Sequence, residues 1–210
     1  IGLNPLHALF IAAPEHASPF SPSNRRFLNP LYLAVDKVDG FAPSMADRSE
    51  LARLRQTEFV DYAGVAALKL AALRRIWQAR SPAEAAALAE FRKQGGEALE
   101  RHALFEALSL HMTAEGHGAG WTSWPEEYRS VEHPQVAAFA REHADDVSFH
   151  LWLQMLCRRQ LAQAADAARE AGMRIGLYID FAVGEAPDGS ATWSTPELVV
   201  GGVKIGAPPD

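Results

Sequence analysis

The apolar positions of this chain change their period twice. From about Arg48 to Gly172 they recur every three or four residues, the spacing of one helical face, whereas on either side they come in short runs. In "VDYAGVAALKLAALRRIWQAR", Val65, Leu68, Ala72 and Ile76 form one such row, and small Ala72 marks where a neighbouring helix can approach. "SPAE" predicts the next helix start: Ser81 caps, Pro82 suits the first helical position, and Glu84 completes a capping box. Gly95-Gly96 is expected to end that helix before "EALERHALFEALSLHM" opens another. "TAEGHGAGWTSWPEEY" reads as a loop, and "HPQVAAFAREHADDVSFHLWLQMLCRRQLAQAADAAREAG" as two further helices, the last closed by Gly172.

The flanks read differently. "IGLNPLHALF" predicts a short buried strand running into a turn at Asn4-Pro5, and residues 11 to 48 are mostly irregular, with a short strand expected over Leu31 to Val35. Within them "SPFSPSNRRFLNPLYL", Ser18 to Leu33, holds three prolines among its aromatics. So much proline excludes a regular helix or a central strand. A shaped loop is expected, and an irregular stretch this long implies function. In "MRIGLYIDFAVG", Ile175, Leu177 and Ile179 alternate with Gly176, Tyr178 and Asp180, a strand pattern. Long helix, glycine and buried strand make the second half of a βαβ unit whose first strand is "IGLNPLHAL". The predicted class is therefore α/β, with a large all-helical insertion. Parallel strands joined this way carry functional residues at their C-terminal ends, where His7 and Asp180 both fall.

Composition narrows the classes. A net charge of -6 without a basic tract argues against a nucleic-acid partner. No apolar run approaches the ~20 residues of a membrane span, and no signal peptide is visible. The lone Cys157 excludes an internal disulfide and fits a reducing, cytoplasmic setting. The chain starts at Ile1 in an apolar run and stops at Asp210 after "GAPP", so an internal fragment of a longer protein is expected.

Candidate chemistry is sparse. His7 reads either as a site residue or as a buried histidine satisfied by backbone. Asp180, between Ile179 and Phe181, reads as a site carboxylate or half of an internal ion pair. Trp121, Trp124 and Tyr128 either stack on sugar rings or pin their loop to the domain. The eight histidines show no metal-ligand spacing, and no glycine loop fits a phosphate, so no metal and no cofactor is expected. Of Arg158 and Arg159, one is expected to face water and the other to pair with a carboxylate. Cys157 reads as a core residue.

Several stretches together resemble the 4-alpha-glucanotransferases, the amylomaltase family of the alpha-amylase clan: "GLNPLHALF", "SPFSPSNRRFLNPLYL", "WPEEYRS", "FHLWLQMLCRRQLAQA", "GMRIGLYIDFAVG" and "GVKIGAPPD". The likeness runs over essentially the whole chain, in order. It implies part of a (β/α)8 TIM barrel: strand two and a groove loop over 1–47, the inserted helical subdomain over 48–172, and strand three with the start of the next loop over 173–210. The implied substrates are maltooligosaccharides or other alpha-1,4-glucans, and the implied partner is the remainder of the parent barrel. By resemblance Asp180 falls at the clan's first signature motif, Asn4, His7 and Asn29 line or hold the groove, and Asp210 begins a loop folded over the acceptor side. Phe20 stands where the family usually has Tyr, which keeps stacking but loses a phenolic hydrogen bond. Ile179 replaces a common arginine. The family's retaining chemistry needs two carboxyl groups about 5–5.5 Å apart. Both are expected C-terminal to Asp210, so no catalytic residue is assigned here. The rival readings are a non-catalytic carbohydrate-binding module and a small α/β enzyme with Asp180 as general base.

Overall fold

The computed structural model describes residues 1–198. Its elements in chain order are β1 (Gly2–Leu3), β2 (His7–Ala8), β3 (Asn24–Leu28), α1 (Arg48–Leu54), α2 (Tyr62–Gln78), α3 (Pro82–Ala114), α4 (Pro134–Glu142), α5 (Ala144–Glu170), β4 (Tyr178–Ile179) and α6 (Ser190–Ser194). The chain is a helix-rich α/β structure with few strands. Among the described residues no helix is long and apolar enough to cross a membrane.

The first predicted strand divides at its proline. β1 pairs in parallel with β4, Gly2 opposite Tyr178 and Leu3 opposite Ile179. After the Asn4-Pro5 turn, β2 pairs antiparallel with β3, with an irregularity between His7 and Ala8. The strand expected over Leu31 to Val35 is instead two 3-10 turns, Pro30–Tyr32 and Val35–Lys37. Asn29 starts the first by accepting from the Leu31 N–H, and Pro30 supplies a helical φ, which together divert the chain from extended geometry. The proline-rich loop does contain a strand, β3, because its prolines at 19, 22 and 30 all lie outside Asn24–Leu28.

The helices begin where the caps require. Asp47 caps α1, Asp61 caps α2, and His133 followed by Pro134 opens α4. Ser81 accepts from the Glu84 N–H at 3.2 Å, but only this half of the capping box forms. The Glu84 carboxylate is taken by the Trp152 indole at 2.8 Å and by Arg159, while Arg158 is exposed. Replacing Ser81 by Ala is expected to cost about 1 kcal/mol in urea unfolding, and an unchanged midpoint would show the cap to be idle. Gly95-Gly96 interrupts α3 as predicted: Gly96 sits at φ +59, a conformation that only glycine adopts cheaply, so the Pro82–Ala114 range is two helical segments meeting at a kink there. α5 ends as predicted, with Gly172 at φ +78 and the Met173 N–H returning to Ala168.

The core lies between α3 and α5. Leu99, Ala103, Phe105, Leu108 and Met112 of α3 are buried, as are Phe149, Leu151, Trp152 and Leu153 of α5. Each large side chain so buried contributes roughly 1.5–3 kcal/mol. Cys157 joins them, and burial pushes its thiol up to about 12, so it stays protonated as a core residue. The exposed apolar residues Ile1, Ile175, Tyr178, Ile179, Phe181 and Val183 gather instead around the β1–β4 pair and its continuation.

Candidate functional site

The parallel pair sets the first part of the site. The ladder continues past β4, where the Asp180 N–H donates to the Leu3 carbonyl at 3.0 Å. Asn4 and Asp180 therefore leave the same end of the two strands, and His7, the first residue of β2, lies against Ala182 just beyond it. His7 is buried, and its Nε2 accepts from the Ala182 N–H at 3.2 Å. Its ring meets Phe181 edge-on, with centroids 4.8 Å apart. Burial, helped by the Arg25 guanidinium, lowers its pKa, so His7 is a neutral acceptor committed to the backbone. Asp180 is exposed and accepts from the next N–H, that of Phe181, at 2.8 Å; it forms no ion pair among the described residues. Arg25 ties the same rim together, donating to Ala182 and Val183 carbonyls while facing Glu185 at 3.4 Å. Asn4 is exposed.

The loop from Ser18 to Leu33 supplies the second part, and it is held along most of its length. Pro22 and Ser23 are bound by segment 186–191: the Ala186 N–H donates to Pro22, the Ser190 N–H to Ser23 Oγ, and the Ala191 N–H to the Ser23 carbonyl. Asn24 donates to Ser190 Oγ at 3.1 Å. Phe27 is buried and stacks on His102 at 4.2 Å, turned inward as a loop anchor. Asn29 is buried and accepts from Leu31, a loop-holding position. Phe20 is different. It is 52% exposed, at a turn closed by Ser21 donating to Ser18. Beside this turn, a cavity of about 590 Å³ opens toward Gly118 and Gly120, with His16, Ser21, Ser123 and Asp188 on its walls. The structure thus presents one ring at the tip of a loop pinned behind it.

Two other groupings are structural. Trp124 is fully buried and donates to the Gly118 carbonyl at 2.9 Å, Trp121 donates to Thr192, and Tyr128 accepts from Gln135. That loop is pinned to the domain, as one of the two sequence readings holds. Ser190, His102 and Glu106 look like a nucleophile set, with Ser190 Oγ 2.8 Å and Glu106 3.9 Å from the ring. Both, however, face the same nitrogen, Nδ1, so no proton passes across the imidazole. All three are also buried away from any substrate. They act as an internal joint.

Sequence reasoning passed over Gln154, Gln160, Lys69, Arg25 and Ser190, which do the holding. One signal was present: Gln154 lies on the α5 stretch that is otherwise apolar and buried. Asp210, named from the sequence, lies outside the described residues.

With this geometry in place, comparison with known proteins is decisive. The glycoside hydrolase 77 family model, described as 4-alpha-glucanotransferase, matches residues 1–210. The chain belongs to the 4-alpha-glucanotransferase family. Among relatives of this family, the 4-alpha-glucanotransferase of Mycobacterium tuberculosis is 38% identical over 99% of this chain and 30% of its own length. That of Haemophilus influenzae is 32% identical over 100% of this chain and 33% of its own. The solved amylomaltase from Corynebacterium glutamicum superposes with a TM-score of 0.64 at 28% identity, over 91% of this chain and 26% of that one. The amylomaltase from Streptococcus agalactiae, solved in complex with acarbose, shares the fold at TM-score 0.75 and 17% identity, over 94% of this chain and 38% of that one. The chain spans about a third of the length of the curated relatives it matches.

Proposed function

We propose that the protein carrying this chain transfers alpha-1,4-glucan segments between maltooligosaccharides by a retaining double displacement, in cytoplasmic maltodextrin or glycogen metabolism. In this reading β1 and β4 are strands two and three of a (β/α)8 barrel. Residues 1–47 carry strand two and the groove loop, 48–172 the helical insertion, and 173–210 strand three and the start of the acceptor-side loop. The observation that carries it is the parallel β1–β4 register, which leaves Asn4 and Asp180 at one strand end with His7 bonded to Ala182 just beyond, in a chain matched by the family along its whole length. The exposed Ile175, Tyr178, Ile179 and Val183 support it, since neighbouring barrel strands would cover them.

Here Asp180 contacts the glucose beside the scissile bond, and Asn4 and Asp210 flank the groove. His7 and Asn29 hold its walls. Phe20 offers its ring to a sugar face. The nucleophile and the acid/base lie C-terminal to Asp210. One forms the glycosyl-enzyme bond while the other protonates the leaving oxygen; the acceptor hydroxyl, deprotonated by the latter, then releases the nucleophile. Prolines 19 and 22 limit the entropy that the loop loses on binding a flexible chain. Calorimetric titration of the intact, nucleophile-disabled protein with maltoheptaose tests the reading. Phe20→Ala is expected to weaken binding by about 1–3 kcal/mol, a magnitude taken from base–aromatic stacking, while Phe20→Tyr binds at least as well as the parent. Parent-like affinity in Phe20→Ala, with an unchanged melting temperature, would sink it.

A further inference from the structure

The helical region does more than sit beside the loop, because three of its side chains bond the loop's main chain. Gln154 of α5 is buried, and its amide accepts from the Leu28 N–H at 3.0 Å and donates to the Leu28 carbonyl at 2.7 Å. Six residues along, Gln160 repeats the arrangement at Ala34, accepting at 2.8 Å and donating at 2.9 Å. Between them Lys69 of α2 sends its Nζ to the Leu31 carbonyl at 2.6 Å and the Leu33 carbonyl at 2.9 Å. An amide bonded this way stands in for a missing strand neighbour, and an ammonium across two carbonyls closes a turn. Every one of these bonds goes to backbone, so they hold the path of the loop whatever its side chains are.

We infer that Gln154, Gln160 and Lys69 are positioning residues that set glucan affinity by holding Leu28–Ala34, and through β3 the Phe20 turn, in binding-ready shape. The inference rests on the glucan reading of the loop. None of the three touches the sugar. With a clamp removed, the segment samples more conformations, and the protein binds in proportion to its competent fraction. KM therefore rises while kcat is kept.

The test is transfer from maltoheptaose by the intact protein carrying Gln160→Leu, Lys69→Met or Gln154→Leu, alongside Phe20→Ala and each pairing with Phe20→Ala. Gln160 and Lys69 are half-buried, so those variants retain the fold even if Gln154→Leu does not. The expected result is a KM raised about three- to tenfold with kcat within about twofold, restoration by Lys69→Arg, and little further loss when a clamp variant is added to Phe20→Ala. Clamp variants with parent KM, while Phe20→Ala raises KM, would overturn the inference and leave the glucan reading standing. Full additivity with Phe20→Ala would also overturn it. If neither Phe20→Ala nor the clamp variants change KM, both fall. If only the clamp variants raise it, the route through the Phe20 turn fails, which overturns the inference and withdraws the Phe20 contact.

Discussion

Replacing Glu106 by glutamine is expected to flatten the pH dependence of stability between about pH 5 and pH 8. Glu106 is buried on α3, and neither carboxyl oxygen has a hydrogen-bond partner of good geometry among the described residues. Burial raises its pKa from 4.5 to about 8, and the nearby Ile11 N–H offsets only part of this. The folded pKa lies above the unfolded one. The folded state therefore holds the proton more tightly, and stability is fully present below about pH 4.5 and lost as pH rises through about 8. At about 1.4 kcal/mol per pH unit, the loss is on the order of 5 kcal/mol. His102 and His150 behave in the opposite sense. Burial lowers both from 6.5 to about 3, so their contribution is present above pH 6.5 and lost as pH falls toward 3. Glu106→Gln should remove the alkaline limb and leave the acid limb in place. Urea unfolding at pH 5, 7 and 8.5 checks this. A variant that weakens with rising pH as steeply as its parent would show that Glu106 is not the group responsible.

How far such features were legible in the sequence depended on whether their cause was local. The helices were, because period, caps and C-terminal glycines are properties of short segments: Ser81, Pro82 and Gly172 act as read. β3 was not. "NRRFL" has no alternating pattern, and it extends because β2 offers a ladder and Phe27 finds the His102 ring, partners distant in sequence. The Glu84 capping role was half right, since Arg159 and Trp152 compete for its carboxylate from α5. Asp180 follows β4 as the strand pattern indicates, but His7 begins β2 instead of ending the first strand, because the Asn4-Pro5 turn divides it, and the side chains that hold the loop carry no periodic signature. The exposed Ile175 and Ile179 show the limit of alternation: it marks a strand but cannot say what covers each face.

Gly189→Ala is expected to be among the most costly single-methyl changes in the chain, about 3–5 kcal/mol in the intact protein. A Cβ built on Gly189 would lie 2.5 Å from the Ser23 carbonyl oxygen and 2.7 Å from its Cα. Both are backbone atoms of the loop, so no rotamer change relieves the clash, and overpacking alone costs about 1–3 kcal/mol. Moving the loop away would also break the bonds from the Ser190 and Ala191 N–H groups to Ser23 and from Asn24 to Ser190 Oγ. Leaving such buried groups unpaired adds about 1–3 kcal/mol apiece. Gly184→Ala is the control: a Cβ there meets nothing within 4 Å, and the expected change is within about 0.5 kcal/mol. Since this joint also stands directly behind Phe20, the surviving folded fraction of Gly189→Ala should bind maltoheptaose more weakly, while Gly184→Ala binds as the parent. Denaturant midpoints and calorimetry on the two variants decide it, and a Gly189→Ala protein as stable as Gly184→Ala would show that the loop does not rest on this joint.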